Sequence, residues 1–180
     1  MRLTITAMGA GGDGIARTPD GPVFVPHALP GDVVEARITG RRGDGQAAAV
    51  EAILTPSADR VAPPCPHFDQ GCGGCAVQHW SPAAQAGWKR DRLRDALARG
   101  GYPDAAVAAT VTTPPGRRRR ADFAVRRGPG GIVLGFHMAG SAQVLDIAGC
   151  AVLDPRITAL LAPLREMLRR LAALRREGSV

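Results

Sequence analysis

Three of the chain's four cysteines fall within eleven residues, Cys65-Pro66-His67-Phe68-Asp69-Gln70-Gly71-Cys72-Gly73-Gly74-Cys75, with the spacing C-x6-C-x2-C. The fourth, Cys150, is separated from Cys75 by 74 intervening residues, so a site that uses all four thiols ties a local loop to a distant part of the chain. Gly73 and Gly74 let the backbone bend tightly between the last two thiols of the cluster. The start MRLTITAMGAGG lacks the basic-then-apolar pattern of a signal peptide, and a cytoplasmic location is expected. In a reducing compartment such thiols read as metal ligands or catalytic groups rather than disulfides. Spacing alone permits zinc or iron. A zinc site usually shows two C-x2-C or C-x2-H pairs, and here only Cys72 and Cys75 have that spacing. Three clustered cysteines plus one distant one suit a four-cysteine iron–sulfur cluster. His67 and His79 are alternative zinc ligands, although isolated histidines read more readily as loop or surface residues.

Charge points to the partner. The net charge of +7 is uneven: residues 1–60 hold six Arg against seven acids, and the remaining Lys and Arg outnumber acids 17 to nine. A polyanion-binding face therefore belongs mainly to the second part, and nucleic acid is the default polyanion because cationic side chains release condensed counterions from phosphates. No run of 18 apolar residues suggests a membrane-spanning helix, so no membrane partner is expected. Aromatics make up only 4% of the chain, against 23 glycines and 15 prolines, so any core is built from small aliphatic side chains between many turns.

Taken in order, residues 2–8 alternate polar and apolar as a strand does, and further short apolar stretches recur at 22–26, 33–38 and 47–54 between proline- and glycine-bearing turns. Four or five such strands predict a small β-barrel. The glycine loop at 9–14 leads toward another strand rather than a helix, which argues for a strand connection and against a nucleotide-phosphate cradle. Residues 55–64 carry prolines and read as the domain boundary. Ser81-Pro82 predicts a helix from 82 to 99, stopped by Gly100-Gly101, with Trp88, Leu93, Ala96 and Leu97 on a core-facing side and Lys89 among its free cations. Strands are predicted near 107–111, 121–127, 132–137 and 142–147, the last three as an antiparallel meander. Asp154-Pro155 starts an amphipathic helix whose leucines, from Leu160 to Leu174, recur at helical spacing, with Pro163 kinking or splitting it.

The string CPHFDQGCGGCAVQHW, the following SPAAQAGWKRDRLRDAL and the later LDIAGCAVLDPRI resemble the iron–sulfur region of bacterial RNA uracil-5-methyltransferases, which make 5-methyluridine in ribosomal and transfer RNA. MGAGGDGIARTPDGPVFVPHALPGDVVEARI is similar to the TRAM domain, an OB-like RNA-binding barrel. The resemblance implies a β-rich α+β chain: a TRAM-like barrel at 1–55, a linker at 56–64, an iron–sulfur α+β domain at 65–154, and a helix at 155–177 leading toward a Rossmann-like methyltransferase domain. It implies a [4Fe-4S] cluster on Cys65, Cys72, Cys75 and Cys150. Such enzymes also bind S-adenosylmethionine through a glycine loop and use a nucleophilic cysteine and a glutamate in a domain that these 180 residues do not include.

The expectation is therefore an RNA-binding, cluster-bearing portion that does not methylate alone, with truncation the leading explanation, and a natural split in which a separate chain supplies the methyltransferase domain, or a stand-alone RNA-binding remnant, as the alternatives. Addition of a thiolate to C6 of uracil needs a cysteine, and four ligating thiols leave none. Arg117, Arg118, Arg119, Arg120, Arg126, Arg127 and Lys89 are the expected contacts to ribosomal or transfer RNA, with Phe123 stacking on a base. The competing reading is a zinc-stabilised RNA-binding protein using Cys65, Cys72, Cys75 and either His79 or Cys150.

Overall fold

The structure, a computed structural model, describes residues 1–171 and 177–179. They form two compact units, residues 1–62 with 76–112 and residues 63–75 with 113–180. The expected linear division at 55–64 differs from this partition, which returns residues 76–112 to the first unit.

The first unit is built on strands β1 (Arg2–Thr4), β2 (Ala7–Met8), β3 (Gly14–Thr18), β4 (Gly21–Val25), β5 (Val33–Arg42) and β6 (Gly45–Thr55). Their order in the sheet is β1-β5-β6-β4-β3-β2. The two ends of that order are the two halves of one extended run, broken only at Ile5-Thr6, so the sheet closes on itself. Pairing is antiparallel except between β4 and β6. Period-two alternation turns Leu3, Ile5, Val23, Val25, Val34 and Ala36 inward, and the core holds no ring at all. Gly14 is required by close approach, since a Cβ there would lie 2.6 Å from the Ala28 carbonyl oxygen.

One buried carboxylate fixes the barrel to the segment that follows it. Asp32 accepts from the Leu29 amide at 2.6 Å and the Ser57 amide at 2.7 Å, and pairs with the Arg60 guanidinium, which also donates to the His27 carbonyl at 2.9 Å. Burial pushes the Asp32 carboxyl up, but the Arg60 hydrogen bond and the two amides outweigh it and hold the group below the usual carboxylate range.

The chain next forms α1 (Pro66–Asp69), a single turn inside the cysteine loop, and then α2 (Pro82–Arg99) in the first unit. The predicted bounds of α2 hold because Ser81 Oγ accepts from the Ala84 amide at 3.3 Å and Gly101 supplies φ +92° beyond the end. Its expected core-facing side does not form. No residue of α2 is buried; Leu93 is 52% exposed, and Trp88 only half-buried against Trp80.

In the second unit, β7 (Ala124–Gly128), β8 (Gly131–His137) and β9 (Val144–Asp146) form the expected meander. The strand expected near 107–111 is absent; those residues are irregular. After β9 come α3 (Pro155–Thr158), α4 (Leu161–Arg170) and β10 (Glu177–Ser179), which pairs with β7. The split expected from Pro163 is found, and the helical end expected at 177 is corrected to Arg170. Pro163 has no N–H for the Ala159 carbonyl and its ring crowds that group, so the break falls at Ala159-Leu160, and Leu171 is already extended. Leu174 lies outside the described residues. Phe123, Val125, Leu134, Ile147, Leu153, Leu161 and Leu168 make the core of this unit.

Candidate functional site

All four cysteines belong to the second unit and all are free thiols. Cys65 is buried at the N-cap of α1, with its Sγ 3.6 Å from His67 Nδ1. The loop after α1 zips onto the end of β8: the Gly73 amide donates to the His137 carbonyl at 2.9 Å, the Ala139 amide to the Gly71 carbonyl at 2.9 Å, and Cys72 bridges Met138. That approach explains one glycine of the pair. A Cβ on Gly73 would stand 2.7 Å from the His137 carbonyl oxygen, whereas one on Gly74 would make ordinary contact at 3.5 Å with Cys72 Sγ. Cys75 and Cys150 are half-buried, and Cys150 packs against the second core.

The donor set suits a thiolate-bound cluster in kind: four reduced thiols in one unit. In arrangement it is not assembled. Among the described residues no group of three or more His, Cys, Asp or Glu side chains is placed to hold a metal ion. Ligation of one centre by all four thiols therefore requires them to draw together from these positions. S-adenosylmethionine finds no cradle in the glycine loop at 9–14, which runs from β2 to β3 and meets no helix N-terminus. No reaction step through either group follows from these residues.

His79, the alternative zinc ligand, belongs to the other unit. It is 3% exposed beside His27, Arg60 and Asp32. Burial first, then the charges of Arg60 and His27, push its pKa down to about 4, with Asp32 opposing. It is a neutral imidazole at pH 7.

The proposed RNA contacts divide sharply. Arg117, Arg118, Arg119 and Arg120 are exposed on a segment whose backbone is tied to the chain before α3, the Arg118 amide donating to Val152 and its carbonyl accepting from Asp154. Arg126 is exposed on β7, and Lys89 on α2. Arg127 instead serves the fold: its guanidinium donates to the carbonyls of Leu168 at 2.7 Å and Leu171 at 3.1 Å, the open C-terminus of α4. The expectation for Phe123 is corrected. It is 3% exposed, lies just before β7 in the core of the second unit and packs 5.3 Å from Phe136, so its ring has no face open to a base.

Two features escaped the sequence reading. A cleft of about 390 Å³ lies along α2, with Trp80, Trp88, Asp91 and Arg92 in its wall. On the barrel, Arg42 lies over the Phe24 ring, 5.2 Å from its centroid, and pairs with Asp13 at 2.7 Å. The alternation of β4 signals an outward Phe24; the long-range Arg42 contact has no sequence signal.

Residues 1–43 match the family model for the TRAM domain, which agrees with the closed sheet they begin. Over most of its length the chain has homologues named as RNA methyltransferases. A Brucella melitensis protein named an uncharacterized RNA methyltransferase is 43% identical over 166 residues, covering 92% of this chain and 38% of the relative. The 23S rRNA (uracil(1939)-C(5))-methyltransferase of Halomonas elongata is 42% identical over 179 residues, covering 98% of this chain and 37% of the relative. The crystal structure of Pyrococcus abyssi tRNA (uracil-54, C5)-methyltransferase with S-adenosyl-L-homocysteine matches with a TM-score of 0.61 at 20% identity, over 99% of this chain and 42% of that one, and shares the fold. The chain thus spans well under half the length of the curated relatives it matches. Among the described residues no helix is long and apolar enough to cross a membrane.

Proposed function

We propose that this chain is the RNA-binding, iron–sulfur-bearing N-terminal portion of an S-adenosylmethionine-dependent RNA uracil-C5 methyltransferase acting on ribosomal RNA. The observation that carries the reading is 40–43% identity across more than nine-tenths of the chain to RNA methyltransferases, two of them named for uracil-C5 methylation of 23S rRNA. The TRAM domain is an OB-like barrel for RNA, and Arg117, Arg118, Arg119, Arg120, Arg126 and Lys89 neutralise phosphates. Cys65, Cys72, Cys75 and Cys150 hold a [4Fe-4S] cluster that, when bound, pins the 65–75 loop to the chain after β9. Methyl transfer needs a thiolate to attack C6 of uracil, and committing all four thiols to iron leaves none here, so that chemistry belongs to a methyltransferase domain outside these residues.

Anaerobic reconstitution tests the cluster: the expected product is brown, absorbs near 400 nm and carries about four irons per chain. Cys150→Ser is expected to lose the cluster, and a colourless, zinc-loaded protein that keeps its metal in Cys150→Ser would favour zinc. Incubated with ribosomal RNA and labelled S-adenosylmethionine, the 180-residue chain is expected to transfer no label; formation of 5-methyluridine would overturn the division of labour.

A further inference from the structure

We propose that Arg42, held between Phe24 and Asp13 on the outer face of the barrel, is a stacking platform for one unpaired RNA base. The proposal rests on the RNA-binding reading and names a site for it in the first sixty residues, which carry no net positive charge.

The platform starts from strand alternation. Val23 and Val25 point into the barrel, so Phe24 points out, and its neighbours across the sheet are Ile15 on β3 and Ala47 on β6. All three are only half-buried, which leaves an apolar strip where an outer barrel face is ordinarily polar. Over the ring of Phe24 lies the guanidinium of Arg42, the last residue of β5 before the Gly43-Asp44 turn. Asp13, at the end of the glycine loop, holds that guanidinium from the side at 2.7 Å; its carboxylate is 16% exposed, whereas the Arg42 side chain is 47% exposed. Phe24 and Asp13 each take part of the cation's surface, and about half of the side chain remains exposed.

A guanidinium held by two partners and still half exposed suits a nucleobase, because bases stack on arginine planes and on aromatic rings alike. Flexibility is usually what makes an exposed arginine a poor platform, and here both partners restrict it. The position agrees with barrel geometry: β3, β4, the loop between β2 and β3, and the turn between β5 and β6 together form the side on which OB-type barrels hold oligonucleotides. Charge agrees as well. Arg17 stands on β3 beside Pro22, on the same outer face as Ile15 and Phe24, exposed and two residues from Ile15. It can neutralise the phosphate of the stacked nucleotide. A base paired in a duplex has both faces covered by its neighbours, so the platform selects single-stranded or looped RNA.

The test uses the 180-residue chain and a single-stranded RNA of about twelve nucleotides with one 2-aminopurine, a base whose fluorescence falls on stacking. Wild-type protein is expected to bind and to quench it. Arg42→Lys keeps the charge and loses the plane; it and Phe24→Leu are expected to bind roughly five- to hundredfold more weakly with the quenching abolished. Arg17→Ala is expected to keep the quenching and to lower the salt dependence. Wild-type affinity and quenching in Arg42→Lys, or equal binding of duplex and single strand, overturns the platform while leaving RNA binding intact. No binding of any RNA by the wild type removes the RNA reading and the platform together. Should Phe24→Leu fail to fold, the exposed Arg42→Lys decides alone.

Discussion

At the scale of residues, the strongest local commitments lie around Asp32 and His79, both buried. Asp32 is wholly buried, and its charge is tolerable only because Arg60 and two amides surround it. Asp32→Ala leaves the Arg60 guanidinium and both donors unanswered, and is expected to cost about 3–5 kcal/mol in urea unfolding. His79 sets a pH dependence of definite sign. Its folded pKa lies near 4, below its ordinary 6.5, so between those values the unfolded chain takes up a proton that the folded chain refuses. Stability therefore falls as pH drops from 6.5 toward 4, by up to about 3 kcal/mol, and levels off below that for this group. Asp32, also lowered, adds a loss in the same direction at lower pH. In His79→Gln the urea midpoint is expected to stay flat from pH 6.5 to 5; an unchanged slope would place the titration elsewhere.

At the scale of elements, what was legible in the sequence is what local chemistry dictates. Ser81, Pro82 and Gly101 delimit α2 because caps and glycine act within a turn of their own position. The barrel strands and the β7–β9 meander follow from alternation and turn residues. What was not legible depends on partners far away in sequence. Nothing in the composition of α2 tells that its leucine side meets no core, and the basic run at 117–127 gives no sign that Arg127 ends on α4 while Phe123 turns into the core. These contacts yield two expectations. Arg127→Ala leaves the last carbonyls of α4 without their cation and is expected to cost about 1 kcal/mol, read as a lower urea midpoint. Gly135→Ala places a Cβ 2.0 Å from the Leu145 carbonyl oxygen, so β8 and β9 must separate; a loss of about 3 kcal/mol or failure to fold is expected, seen by circular dichroism.

At the scale of the whole molecule, charge and cysteine placement divide the labour between the units. All four thiols fall in the unit that also carries Arg117–Arg120, although residues 76–112 between its two segments belong to the other. That interruption could not be read from the proline-bearing stretch at 55–64, because a linker signal marks a bend in the chain and not the compact body to which the next segment returns. If Arg117, Arg118, Arg119 and Arg120 hold phosphates, they do so as counterion-releasing charges, and each contact to single-stranded RNA contributes about −0.7 to the slope of log K against log salt. Replacing all four by alanine is then expected to flatten that slope by about 2–3 while leaving 2-aminopurine quenching at the Arg42 platform intact. The reconstituted iron content is expected to stay unchanged, because Arg118 is tied to the chain before α3 through its backbone amide and carbonyl, which alanine keeps. An unchanged slope would move the phosphate-binding surface to other cations, Lys89 and Arg126 first among them, since both are exposed outside that run. A changed iron content would instead mean that the basic segment supports the cysteine site, and that the same arginines cannot be assigned to RNA on binding data alone.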